Sequence, residues 1–328
     1  MRAQVVGAGS WGTALALVLA RNGWDVVISA RASDSLDQIA SRRENLRYLP
    51  GFVLPKSVQA VEIGKEEGEF DIQVHALPSS AVMEVLPELK PGRRVVLASK
   101  GLIPSGNGIL ADAVAEAWPD APISVISGPN LAVELAKGIP TAAVVASACD
   151  DTAESVRAAF MCRTYRVYVS SDVRGVELAG ALKNVLAIGA GVSDGLGYGD
   201  NTKAALLARG LNEMARLGHH LGAQLATFMG VAGIGDLMAT ANSTLSRNYR
   251  VGYGLGQSRS LVEILEEIGQ VAEGVTTADQ AVRLARQHEV PMPIFQVLHG
   301  VIVGDYDPRD AVQALMERTP RREGFDWL

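Results

Sequence analysis

A lysine inside an apolar stretch is the first residue of this chain that invites a chemical reading. Lys183 lies in residues 177–190, ELAGALKNVLAIGA, where almost every other position is apolar. Lysine is rarely buried without a partner. One placed this way suits proton transfer, because burial and neighbouring charge tune its hold on the proton. The plainer alternative is a lysine whose stem packs on the core while its ammonium reaches solvent. Asn184 stands beside it. Asp236, in Gly233-Ile234-Gly235-Asp236-Leu237, is an anion in apolar surroundings and needs a cationic or hydrogen-bonding partner, for which Lys183 is the candidate. Ser246-Arg247-Asn248 offers a hydroxyl, a guanidinium and an amide in consecutive positions. If it opens a helix, its N–H groups add to a phosphate site; alone, Ser246 reads equally as a plain N-cap. Lys100, in Ser99-Lys100-Gly101, follows a buried run. At the carboxyl end of a central strand it would face a ligand crevice, and as an ordinary surface lysine it would do nothing.

A second motif concerns a dinucleotide. Gly7-Ala8-Gly9-Ser10-Trp11-Gly12 has the spacing G-x-G-x-x-G, directly after a strand-like run and before a helix-like one. The pattern alone is weak, but in this context each glycine has a job. Gly7 permits the tight turn, Gly9 lets a pyrophosphate approach the backbone, and Gly12 lets the helix pack on the strand. The free N–H groups and dipole of the helix start favour the anion. The end of the next strand reports on the cofactor. Arg31 stands where an acidic residue would bind the ribose of NAD; a guanidinium there can pair with a 2′-phosphate or stack on adenine, and the plainer alternative is a solvated surface arginine. NADPH is the expected cofactor, with NADH kept possible by Asp34.

Both motifs need elements to hold them. Residues 4–6, 24–29, 71–77, 94–98, 123–126, 141–146 and 165–169 read as buried strands. Helix-like segments such as 13–21 and 81–86 stand between several of them. This alternation implies an α/β fold with a doubly wound, Rossmann-type parallel sheet. Near Asp172 the character changes. Residues 176–188, 203–218, 261–267, 277–287 and 308–318 read as helices, so an all-helical C-terminal domain should follow. The expected division is 1–172 for an NAD(P)-binding domain and 173–328 for a helical substrate and catalytic domain.

The 328 residues suffice for two cores, and a formal net charge of −6 argues against a nucleic-acid partner. Residues 3–20 carry no charge, yet Gly7, Gly9 and Gly12 break the run, so it reads as strand, turn and helix with no membrane insertion. Cys149 and Cys162 are too few for a disulfide framework, which points to a reducing, cytoplasmic setting. No metal-ligand spacing appears, and His219 and His220 read as surface residues.

Longer segments carry a resemblance. They are GAGSWGTALA (7–16), SKGL (99–102), SGPNLAVELAKGIPTA (127–142), GVELAGALKNVLAIGAG (175–191), GDNTKAALLARGLNEM (199–214), GIGDL (233–237), LSRNYRVG (245–252) and VAEGVTTA (271–278). In this order they resemble the bacterial-type NAD(P)-dependent glycerol-3-phosphate dehydrogenases over nearly the whole chain. The resemblance implies Lys183 as proton donor and acceptor. It implies substrate contacts from Lys100, Gly128, Asn130, Lys183, Asp236, Ser246, Arg247 and Asn248. It implies cofactor contacts from Ser10, Trp11, Arg31, Lys100, Ala132, Arg247, Val271 and Glu273, beside Gly7, Gly9 and Gly12. It further implies dihydroxyacetone phosphate and glycerol 3-phosphate as substrates, a role in phospholipid synthesis and a homodimer. Asn130 stands where the family often has Ser or Thr, and Leu131 replaces a common Phe. His75 replaces a usually apolar residue and has no functional reading.

Two alternatives stay open. A β-hydroxyacid dehydrogenase shares the two-domain plan and the helical lysine, but usually has an asparagine four residues later, where this chain has Ala187. A non-catalytic NADP-binding sensor would not need Lys100, Lys183, Asp236 and Arg247 together.

Overall fold

The computed structural model describes residues 1–34, 36–103, 108–319 and 324. By its own contacts the chain forms two compact units. One comprises Met1–Lys100 and Ile109–Glu177, the other Gly101–Gly108 and Leu178–Leu328.

The first unit is built on an eight-stranded sheet. Its strands are β1 (Arg2–Val6), β2 (Asp25–Ala30), β5 (Val58–Glu62), β6 (Ile72–His75), β7 (Val95–Leu97), β8 (Ile123–Ser127), β9 (Thr141–Ser147) and β10 (Tyr165–Ser170); β3 (Glu44–Asn45) and β4 (Leu49–Val53) form a separate pair. The spatial order is β10-β9-β8-β7-β6-β1-β2-β5. Strands β5, β2, β1, β6, β7 and β8 run parallel. Ala3, Val5, Val6, Ile28 and Val74 are fully buried, as strands covered on both faces require.

The sheet departs from a wholly parallel one at β9, which pairs antiparallel with β8, while β10 is parallel to β9. Between β8 and β9 lies the short helix Ala132–Lys137. The chain returns from that helix antiparallel to β8. Next to β1 the winding reverses, with β2 on one side and β6 on the other. In open sheets, ligands bind outside the carboxyl ends of strands at such a switch point.

From Leu178 on, no β-strand occurs among the described residues. The helices there include Val173–Gly195, Asp200–His220, Asp236–Ala241, Arg247–Gly256, Leu261–Ile268, Glu273–Gln287, Pro293–Val303 and Pro308–Met316. Several outrun their sequence-based bounds. Val173–Gly195 is long and apolar enough to cross a membrane by length and composition, but its apolar window is wholly buried in the protein. Arg247–Gly256 contains Gly252, Gly254 and Gly256, which disfavour an isolated helix; it forms because it packs on its neighbours.

Candidate active site

In the first unit the glycine motif turns from β1 into helix Ser10–Arg21, beside the end of β6. Gly7 has φ +114°, a conformation that L side chains rarely adopt. A Cβ on Gly12 would lie 2.1 Å from the Gly7 carbonyl oxygen, so the turn closes only without one. A Cβ on Gly9 would meet nothing within 4 Å. Space is therefore open where a pyrophosphate would reach the backbone, and the first-turn N–H groups have no helical acceptor. The residues present fit a dinucleotide.

The surroundings hold this turn in shape. Asn45, buried in β3, donates from Nδ2 to the Ala8 carbonyl at 2.7 Å and to Thr13 Oγ1 at 2.8 Å. Sequence reading missed it, because the asparagine lies in a two-residue strand with no periodic signal. Trp11 Nε1 donates to the Ala98 carbonyl at 3.0 Å. Lys100 Nζ donates to the Gly128 carbonyl at 3.2 Å and lies 5.8 Å from the Trp11 ring centroid. Ser10, Trp11, Lys100 and Gly128, candidates from separate sequence segments, are thus gathered around the ends of β1, β7 and β8. Gly128 has φ +152°, and a Cβ there would press on the Ala142 carbonyl oxygen at 2.8 Å. Both amide atoms of Asn130 are sealed from solvent with no hydrogen-bond partner among the described residues, leaving a donor and an acceptor for a ligand. Ala132 opens the following short helix.

Arg31 follows β2, with its side chain 65% exposed. Its Nε lies 3.5 Å from Asp34 Oδ2, and its backbone N–H donates to the same oxygen at 3.3 Å. Asp34 therefore faces back onto Arg31. His75 is fully buried, its Nε2 3.1 Å from Gln73 Oε1 and its ring 5.7 Å from the Trp118 ring. Burial lowers its pKa to about 4, so it is neutral near pH 7.

The second unit carries the lysine. Lys183 Nζ lies 2.9 Å from Asp236 Oδ1, with both side chains buried. Lys183 also donates to Thr240 Oγ1, which in turn donates to Asp236 Oδ1 at 3.2 Å. Sequence reading missed Thr240, although its place four residues after Asp236 puts both on one helix face. Before Asp236 the chain makes a π-helical turn, Val231–Gly235. Such turns are rare and frequent at functional sites. A Cβ on Gly233 would lie 2.1 Å from the Phe228 carbonyl oxygen, which accounts for a glycine in that turn.

Ser246 caps helix Arg247–Gly256, accepting from the Tyr249 N–H at 3.2 Å. Burial lowers the Arg247 pKa from its ordinary value, and the Glu273 carboxylate opposes that by favouring the charged form. Asn248 Nδ2 donates to Asn184 Oδ1 at 2.9 Å, and Asn248 Oδ1 accepts from the Gly274 N–H at 2.9 Å. Asn184 follows Lys183 in the chain, so the phosphate-type cluster and the lysine share one scaffold. Val271 is exposed, two residues before Glu273. His219 and His220 are exposed at the end of their helix.

The glycines explain how the two helices come so close. A Cβ on Gly252 would lie 1.8 Å from the Ile188 carbonyl oxygen, and one on Gly191 would lie 2.1 Å from the Tyr249 carbonyl oxygen. The backbones of Val173–Gly195 and Arg247–Gly256 touch, and any side chain at these points would push Asn248 away from Asn184.

Comparisons with known proteins agree along nearly the whole chain. Residues 2–153 match the family described as NAD-dependent glycerol-3-phosphate dehydrogenase N-terminus, and residues 172–313 match its C-terminus. The glycerol-3-phosphate dehydrogenase [NAD(P)+] of Desulfitobacterium hafniense (strain Y51) is 44% identical over 323 residues, 97% of this chain and 92% of that protein. The protein of the same name from Bacillus thuringiensis (strain Al Hakam) is 45% identical over 330 residues, 97% and 96% of the two chains. The crystal structure of glycerol-3-phosphate dehydrogenase from Coxiella burnetii superposes with a TM-score of 0.93 at 39% identity, covering 97% of this chain and 99% of that one.

Proposed function

The chain belongs to the NAD-dependent glycerol-3-phosphate dehydrogenase family, and from that membership we propose that it interconverts dihydroxyacetone phosphate and sn-glycerol 3-phosphate with NAD(P)H. The observation that carries the reading is the buried Lys183–Asp236 pair at 2.9 Å, whose lysine shares a helix with Asn184, the acceptor for Asn248 of the phosphate-type cluster.

When bound, the nicotinamide supplies or accepts the hydride at C2. The chain's residues do the rest. The Lys183 ammonium stabilises negative charge developing on the C2 oxygen and donates the proton; in the reverse direction Lys183 takes it back. Asp236 and Thr240 orient Lys183 and hold its charge. Arg247, with Ser246, Asn248 and the N–H groups of the helix start, binds the phosphate and fixes the carbonyl in place. Lys100 adds positive potential, and the free amide of Asn130 binds a substrate hydroxyl or oxygen. On the cofactor side, Gly7, Gly9, Ser10, Trp11 and Gly12 receive the pyrophosphate, and Ala132, Val271 and Glu273 contact the rest of the dinucleotide. Arg31 pairs with a 2′-phosphate, which makes NADPH the preferred cofactor.

In this scheme residues 1–172 form the NAD(P)-binding domain, with Lys100 and Asn130 also reaching the substrate, and 173–328 form the substrate and catalytic domain, with Val271 and Glu273 also reaching the dinucleotide. The product supplies phospholipid synthesis. Two free thiols, Cys149 and Cys162, support a reducing cytoplasm. The exposed apolar side chains Met229, Ile234 and Met238 support a homodimer, which light scattering on the purified protein would test.

The deciding assay follows absorbance of the reduced nicotinamide with dihydroxyacetone phosphate and either NADPH or NADH. Substrate-dependent oxidation is the expected result. No oxidation with either cofactor, alongside turnover of a hydroxyacid, would overturn the proposal.

A further inference from the structure

The helix that bears Arg247 crosses Val173–Gly195 through glycines, with backbone against backbone. A glycine crossing allows close approach, but it has no side-chain knobs to stop one helix sliding or turning on the other. Polar bonds from the first turn of the helix must do that. Asn248 reaches back to Asn184. Its neighbour Tyr249 reaches forward: the phenol donates to Asp194 Oδ2 at 2.8 Å. Asn184 and Asp194 stand ten positions apart, about 15 Å along the helix. Two adjacent side chains are thus bonded to widely separated points on the facing helix, which fixes both rotation and axial position. Asp194 is held as well, since Lys203 Nζ donates to the same Oδ2 at 2.9 Å, both side chains being mostly buried. Burial and the Asp194 carboxylate push the Tyr249 pKa up to about 12, so the phenol remains a donor.

We propose that Lys203, Asp194 and Tyr249 form a clamp that positions Arg247 for the substrate phosphate. This rests on the reading of Arg247 as the phosphate ligand. None of the three touches the substrate in this scheme, so they are positioning residues. They act on where the guanidinium and the N–H groups of the helix start point.

The test is steady-state kinetics on Tyr249→Phe, Lys203→Met, the double variant and, in parallel, Arg247→Ala. Tyr249→Phe removes one oxygen and keeps the ring, so folding should persist. A clamp that sets only substrate binding raises the KM for dihydroxyacetone phosphate about threefold to tenfold, with kcat and the KM for NADPH changed by less than about twofold. Because the two residues act through one carboxylate, the double variant should be no worse than the more damaging single one. An unchanged substrate KM in Tyr249→Phe, while Arg247→Ala raises it, overturns the clamp and leaves the phosphate reading intact. An unchanged KM in Arg247→Ala overturns that reading and the clamp with it. A parallel fall of kcat and rise of both KM values, together with a lower Tm, would mark a merely structural role and also overturn the clamp.

Discussion

Lys183 and Asp236, 53 positions apart in the chain, meet as an ion pair at 2.9 Å whose side chains are only 5% and 2% exposed. Removing one partner leaves an uncompensated buried charge, which costs about 3–5 kcal/mol. Asp236→Asn should therefore lower both Tm and kcat. Lys183→Met should abolish turnover while NADPH still binds. The double variant Lys183→Met/Asp236→Leu should recover much of the lost Tm yet stay inactive. Thermal melts beside cofactor titration separate the two effects, and near-normal turnover in Lys183→Met would exclude the proton-transfer role.

Two glycines of one motif should fail differently. At Gly9 a side chain points into open space, so Gly9→Val should fold with an unchanged Tm and bind NADPH weakly. At Gly12 a Cβ would lie 2.1 Å from a carbonyl oxygen. Gly12→Ala should lose stability by about 1–3 kcal/mol, the range for overpacking. Equal effects of the two substitutions on Tm would contradict the division between ligand space and packing.

Arg31 is exposed and shares the Asp34 carboxylate. Losing a charge-assisted bond to a 2′-phosphate costs about 1.4 kcal/mol or more, roughly tenfold. Arg31→Ala should lower kcat/KM for NADPH by about that factor and leave NADH nearly unaffected. An equal loss with both cofactors would mean that Arg31 does not read the phosphate.

Stability should depend on pH in two opposed ways. Burial lowers the His75 pKa from 6.5 to about 4. Between these values the unfolded chain binds the proton and the folded one does not. Stability therefore falls as pH drops through that window, by about 3 kcal/mol in all. Glu177 is the reverse case. Burial raises its carboxyl from 4.5 to about 8, although the N–H groups of Leu110 and Ala111 donate to it and pull the other way. Glu213 is likewise raised by burial to about 7. For both, the unfolded chain ionises first, so stability falls as pH rises from 4.5 towards 7–8. Urea titrations across pH should show His75→Leu flattening the acid side and Glu177→Gln flattening the alkaline side. An unaltered profile in either variant would remove that residue as the cause.

What the sequence determined by itself is local. The glycine spacing, the strand-helix alternation and the change to helices near Asp172 are set by neighbouring residues, because turn geometry, burial period and capping act over a few positions. The oddity of Lys183 in an apolar run is equally local. Tertiary structure alone decided the rest. It closed Lys183 on Asp236 and Thr240, tied Asn248 to Asn184 and Gly274, and set Asn45 under the glycine turn. It also reversed β9 and made a helix of the glycine-containing residues 247–256. These features depend on distant segments that share no pattern in sequence. Their energies come from packing and from satisfying buried polar groups, and those exist only once the chain has closed on itself.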